Sequence, residues 1–253
     1  MPTALITGCS SGFGLEAARL FLDRGWNVIA TMRTPDPALL PTGSKLRILQ
    51  LDVTDAESIN RAIADAGEID VLVNNAGFGA PVPVELISPE TTRIMFETNT
   101  FGTLAMTQAV LPQFRQRRNG VIINVTSSVT LKALPLIGLY RASKAAVDAF
   151  TSSLELEVKQ FGIRVHLVLP GRSPSTSFGS NARPHLLGLD HPDYGPMIQK
   201  ILEGFADTSG PVTYASDVAE AIFHAATNPD APLRIAAGAD AVAWMAQAIL
   251  GAA

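Results

Sequence analysis

Short β-branched runs recur along this chain with longer stretches of helical periodicity between them, and few folds accommodate that alternation. It is the pattern of βαβ units, which close into a parallel sheet with helices on its faces. Six or seven runs read as strands, at Thr3–Thr7, Asn27–Thr31, Leu46–Leu51, Val71–Asn74, Gly120–Thr126, Ile163–Leu169 and Leu233–Ala236. Three of them contain almost unbroken apolar runs (Val28-Ile29-Ala30, Val121-Ile122-Ile123, Val165-His166-Leu167-Val168-Leu169), as expected of strands covered on both faces. With 253 residues, 47% of them apolar and 17% charged, the chain has material for one large core, and a single domain over 1–253 is predicted.

The first strand runs directly into Thr7-Gly8-Cys9-Ser10-Ser11-Gly12-Phe13-Gly14, and a helix opens through Leu15–Leu22. Glycines at such a strand–turn–helix junction let the backbone approach a diphosphate, and the amides of the helix N-terminus face its charge. The spacing is Gly-x-x-x-Gly-x-Gly, different from the more familiar Gly-x-Gly-x-x-Gly. Gly8, Ser10, Ser11, Gly12, Phe13 and Gly14 are therefore expected at a dinucleotide. The second strand ends in Met32-Arg33, where a carboxylate would bond ribose hydroxyls and an Arg would accept a 2′-phosphate. Arg33 thus predicts NADP(H) in preference to NAD(H). Asp52-Val53 follows the third strand; Asp52 either meets the adenine or caps the helix that starts near Ala56. Asn74-Asn75-Ala76-Gly77 ends the fourth strand with residues suited to a tight turn against a ligand.

Tyr140-Arg141-Ala142-Ser143-Lys144 supplies chemistry to match. On a helix Tyr140 and Lys144 share one face. A fixed cation beside the phenol favours phenolate and brings the pKa, ordinarily near ~10, toward working range. Tyr140 is thus a candidate general acid and base.

These residues together resemble the short-chain dehydrogenase/reductase family in its single-domain branch. The resemblance rests on Thr7-Gly8-x-x-x-Gly12-x-Gly14, Asn74-Asn75-Ala76-Gly77, Asn99, Ser127, Tyr140-x-x-x-Lys144 and Pro170-Gly171, in order and at family-like spacing. It implies a Rossmann-type, doubly wound, seven-stranded α/β sheet that binds a nicotinamide cofactor across its carboxyl edge. Tyr140 becomes the acid for carbonyl reduction and the base for alcohol oxidation. Lys144 lowers its pKa and holds the nicotinamide ribose. Ser127 orients the substrate oxygen, with Ser128 as fallback, and Asn99 anchors a water that links Lys144 to solvent. Asn75, Ala76, Gly77, Pro170 and Gly171 join the cofactor contacts. After Gly171 the chain departs from the family pattern, leaving Ser175 or Thr176 for the carboxamide. The phrases Leu5–Gly12 and Val28–Arg33 look similar to members that act on steroids, retinoids and other apolar alcohols or ketones.

The irregular stretch Arg172–Tyr194 exceeds an idle connection, and a substrate-covering segment over 172–206 is expected. Aliphatic residues crowd the expected pocket walls, so the predicted substrate is a small apolar carbonyl or alcohol. A net charge of −4 and the absence of a long basic run argue against nucleic acid. The histidines have no ligand spacing and Cys9 is the only cysteine, so no metal is expected. No apolar run has the ~20 residues of a membrane span, and no leader succession is visible at the start. A cytoplasmic protein is expected. The tail Ala241–Ala253 reads as an amphipathic helix packing on the domain or a partner. Helices near Glu90–Arg118 and Tyr140–Phe161 resemble those through which family members form homodimers and homotetramers. A nucleotide-binding sensor without turnover is the main rival expectation, and retention of Asn99, Ser127, Tyr140 and Lys144 argues against it.

Overall fold

The computed structural model describes residues 1–174, 176, 182, 187–207 and 209–251. Seven parallel strands form one sheet in the order β3-β2-β1-β4-β5-β6-β7. They are β1 (Thr3–Ile6), β2 (Asn27–Met32), β3 (Leu46–Gln50), β4 (Val71–Asn74), β5 (Gly120–Val125), β6 (Ile163–Pro170) and β7 (Arg234–Ala237). The β-branched runs place these elements to within one residue at either end. The edge strands β3 and β7 are less buried than the central ones, because one side of each lacks a neighbour.

Eight helices are described: α1 (Gly12–Asp23), α2 (Ala56–Ala66), α3 (Pro89–Phe96), α4 (Gly102–Arg117), α5 (Gly138–Val158), α6 (Gly195–Ala206), α7 (Ala215–Thr227) and α8 (Ala239–Gly251). Alternate strand residues point to opposite faces, and the core divides accordingly. Ala4, Ile6, Val28, Ala30, Val71 and Val73 meet α1 and α7 on one face. Leu5, Ile29, Leu72 and Ile122 meet α2, α4 and α5 on the other. Each fully buried aliphatic side chain contributes about 1.5–3 kcal/mol. On the first face Phe21, Trp26 and Phe223 stack edge to face with centroids 5.1–5.9 Å apart.

The long helix expected over Glu90–Arg118 is two helices joined by a π-helical turn at Glu97–Phe101. Ser88 caps α3 by accepting from the Thr91 amide, and Arg118 ends α4 in the left-handed region. The capping role offered for Asp52 is overturned: Asp55 stands immediately before α2 and accepts from the Glu57 amide. Asp52 instead closes its own turn by accepting from the amide and hydroxyl of Thr54 at 2.9 and 2.7 Å.

The C-terminal tail packs on the sheet. Asp240, in the first turn of α8, accepts from the Arg172 amide at 2.6 Å and from the Thr213 hydroxyl at 2.6 Å. A carboxylate at a helix N-terminus is favoured by the helix dipole, and this one fastens α8 to the end of β6. Of the segment 172–206, α6 and its approach are described. The Tyr194 hydroxyl donates to Glu85 at 2.7 Å, and Arg172 donates to the Gly204 carbonyl at 2.7 Å. Among the described residues, no helix is long and apolar enough to cross a membrane.

Candidate active site

Strand order reverses between β1 and β4, and ligands of open parallel sheets bind at the carboxyl ends of such a pair. There the β1 turn and the end of β4 are bonded to each other. The Thr7 hydroxyl accepts from the amides of Asn75 and Ala76, both at 2.9 Å. The Asn75 side-chain amide donates back to the carbonyls of Thr7 and Gly8 at 2.9 and 3.2 Å. Asn75, expected at the cofactor, therefore gives its side-chain donors to bracing the turn. Gly8 has φ +72°, and a Cβ on Gly14 would lie 2.5 Å from the Gly8 carbonyl oxygen, so α1 can start this close only with glycine there.

Ser11 precedes α1 without a capping bond from its side chain, and no acidic residue sits in the first turn. The first amides of an α-helix have no partner within the helix. At α1 these amides follow directly on Ser10 and Ser11. Phe13 packs into the apolar layer below. Thr176 lies over Gly12, its Cβ 3.7 Å from where a Gly12 Cβ would be, so it is placed at the turn; Ser175 lies outside the described residues. The Cys9 thiol is buried, donates to the Ile6 carbonyl, and is pushed by burial up to about 12, which leaves it chemically quiet.

Arg33 is exposed just beyond β2. Burial raises the pKa of Asp52, but the Thr54 hydrogen bonds and the Arg33 charge outweigh it and hold the carboxyl below its ordinary range. The two side chains thus share the outer end of the edge. Val53 belongs to the apolar layer under α2 and α4.

At the other end lie Asn99, Ser127, Tyr140 and Lys144, all buried. Tyr140 is in the first turn of α5, with Lys144 one turn further along the same face. Ser127 lies just beyond β5, in extended conformation, and is a hydrogen-bond partner of the phenol. Ser128, the fallback, is in the 3₁₀ turn that follows. Lys144 Nζ donates to the Val125 carbonyl at 2.9 Å. Asn99 sits in the π-helical turn; its amide donates to the Phe78 carbonyl and to Ser143 Oγ, and its Oδ1 accepts from the Phe78 amide. π-Helical turns recur at functional sites because they re-aim side chains out of α-helical register. A Cβ on Gly77 would lie 2.9 Å from Asn99 Oδ1 and 3.3 Å from Lys144 Nζ. Pro170 ends β6, and Gly171 donates to Thr213 Oγ1 at 3.0 Å.

The electrostatics differ from the sequence expectation. Burial pushes the Tyr140 phenol up to about 12, and Ser127 is the group that pulls it back down. Burial also lowers Lys144 to about 8. In this apolar setting desolvation outweighs the attraction of phenolate for ammonium, and the lysine's donor is turned toward Val125.

Ser143, Thr7 and Arg141 also shape the site and were not singled out from sequence. Ser143 donates to the Tyr140 carbonyl and accepts from Asn99. Its place between Tyr140 and Lys144 was a visible signal; its contact with a residue 44 positions away was not.

The glycine-only approach of α1, its uncapped N-terminus and Arg33 at the outer end fit a dinucleotide. A buried phenol, that of Tyr140, lies at the inner end of that edge. Residues 2–185 match the short chain dehydrogenase family model. A 3-ketodihydrosphingosine reductase of Bacteroides thetaiotaomicron is 38% identical over 203 residues, covering 79% of this chain and 74% of that protein. Among solved structures, a short-chain dehydrogenase from Streptomyces avermitilis superposes with a TM-score of 0.88 at 31% identity, covering 100% of this chain and 94% of that one. A short chain dehydrogenase from Burkholderia cenocepacia in complex with NADP gives 0.78 at 28% identity, covering 98% and 92%. The chain belongs to the short-chain dehydrogenase family.

Proposed function

We propose that the protein reduces a small apolar ketone or aldehyde with NADPH, and in reverse oxidises the matching secondary alcohol. The observation that carries this is the setting of Tyr140. Its ring belongs to an apolar cluster with Ala80, Val82, Met95 and Ile137, bordered by Leu86 and Leu139. Such walls recognise hydrocarbon, and the phenol is the polar group among them. The Bacteroides relative is likewise named for reduction of a ketone, as a 3-ketodihydrosphingosine reductase.

The bound nicotinamide supplies or accepts the hydride. Gly8, Ser10, Ser11, Gly12 and Gly14 would hold the diphosphate, Arg33 the 2′-phosphate, and Asp52 the adenine. Phe13, Val53, Ala76, Gly77, Pro170 and Gly171 would line the cofactor, with Thr176 or Ser175 toward the carboxamide and Lys144 on the nicotinamide ribose. Ser127 Oγ holds the substrate oxygen, where negative charge develops. Tyr140 Oη, protonated at neutral pH, donates to that oxygen in reduction and takes the proton back in oxidation. Asn99 keeps α5 and the Gly77 segment in register and anchors the water through which Lys144 exchanges protons. An NADPH-consumption screen over ketones, aldehydes and quinones tests the reading. Tight NADPH binding without turnover of any of them would overturn it in favour of a sensor.

The NADP(H) preference rests on Arg33. Charge-assisted bonds to phosphate contribute about 1.5–3 kcal/mol. Arg33→Ala should thus weaken NADPH binding about 10- to 100-fold and leave NADH nearly unchanged, as read by nicotinamide fluorescence titration. An unchanged NADPH-to-NADH ratio would remove the assignment.

We also read the α4 and α5 helices as contacts between copies, in a homodimer or homotetramer. Phe101 is 52% exposed before α4 and Leu156 is 75% exposed on α5, a cost in water that a second copy would relieve. Light scattering should give a multiple of the 26.7 kDa chain mass. A monomeric mass at micromolar concentration would refute this.

A further inference from the structure

We propose that Arg141 is a positioning residue that sets Ser127 against Tyr140. The inference rests on the Ser127 and Tyr140 roles just given. β5 is held to its end, where the Thr126 amide donates to the Val168 carbonyl at 2.8 Å. From Ser127 onward the chain leaves the sheet and closes a single 3₁₀ turn on itself. Thr130 donates to the Ser127 carbonyl through both its amide, at 3.2 Å, and its hydroxyl, at 2.9 Å. Ser127 Oγ in turn accepts from the Val129 amide at 3.3 Å. These bonds give the turn a shape, and beyond the Ser127–phenol bond itself they leave its registration against α5 to a further contact.

Arg141 supplies that registration. Its Nε donates to the Val129 carbonyl at 2.9 Å and its terminal nitrogen to the Thr130 carbonyl at 3.4 Å. The last carbonyls of a short helical turn have no partner within it, and the planar guanidinium fork offers two donors at a fixed spacing. Because Arg141 adjoins Tyr140 on α5, one backbone carries both the phenol and the brace that places its hydrogen-bond partner. Without the fork the turn can pivot about Thr126, and Ser127 Oγ moves with it.

A cycle of wild type, Arg141→Ala, Ser127→Ala and the double variant tests this, with NADPH and a medium-chain methyl ketone as the probe. Displacement of a reacting group by about an ångström costs on the order of 100-fold, so Arg141→Ala should lower kcat about 10- to 100-fold while NADPH affinity holds. In the Ser127→Ala background the same change should cost little further, since residues acting through one another are not additive. Amide hydrogen exchange of the protein without cofactor gives a second readout. Exchange over residues 127–131 should rise in Arg141→Ala while that of β5 stays as in wild type. Arg141→Lys, which can reach one carbonyl, should fall between, and it replaces the alanine variant in the cycle if that one fails to fold.

Multiplicative losses in the cycle, or unchanged exchange over 127–131, would overturn the proposal. Absence of wild-type turnover would instead sink the assigned activity, and the exchange measurement alone would then decide whether Arg141 braces the turn.

Discussion

Tyr140→Phe is expected to lower kcat by about 10²–10⁴-fold, the span contributed by a positioned general acid, while the Kd for NADPH stays as in wild type. The substitution removes one oxygen from a ring otherwise packed in the apolar cluster, so the ring can remain in place. Turnover is lost because the substrate oxygen has no proton to take. Since burial holds the phenol up to about 12, reduction should be insensitive to Tyr140 ionisation through neutral pH, whereas oxidation should gain with rising pH as phenolate becomes accessible. Parallel kinetics in both directions check this. Near-wild-type turnover by the Phe variant would remove Tyr140 from the mechanism.

Lys144→Met should separate activity from stability. Its ammonium is buried and its pKa falls from an ordinary 10.5 to about 8. Between these values the unfolded chain keeps the proton and the native protein gives it up, so the unfolded state binds more protons. Stability therefore rises with pH across this window. Below about 8 both states are protonated, and the native one carries the penalty of a buried charge, about 3 kcal/mol. Tyr140 acts in the opposite sense above about 10, because the native state holds that proton up to about 12. The climb in wild-type Tm should thus be read between pH 8 and 10, and Lys144→Met should flatten it while abolishing turnover. Loss of the bond to Val125 lowers the variant's Tm while loss of the buried charge raises it below pH 8, so the slope carries the result. An undiminished climb in the variant would show that Lys144 is not its source.

The sheet was legible because each strand is an apolar, β-branched run between helical periods, and parallel pairing needs little else. The family resemblance likewise brought Ser127 to Tyr140. Features decided by contact between distant segments were less visible. Asp52 and Asp55 are both acceptable caps by residue type; which one caps depends on where α2 begins. The π-helical turn around Asn99 adds no residue type that helical periodicity could register. Most instructive is Tyr140: the sequence displayed a lysine one turn away, but not the depth of burial, which governs both groups. Arg141 carries no signal in the sequence, since its partners are main-chain carbonyls to which any sequence contributes.

The mutual bonding of Thr7, Asn75 and the Gly8 carbonyl bears on how this fold can be recombined. The Gly-rich turn is a joint made by two segments 68 residues apart, each completing the other's backbone. Grafting residues 7–14 into another scaffold without its partner asparagine would transplant the glycines and leave behind what holds them open. The heritable unit here is the pair of strand ends.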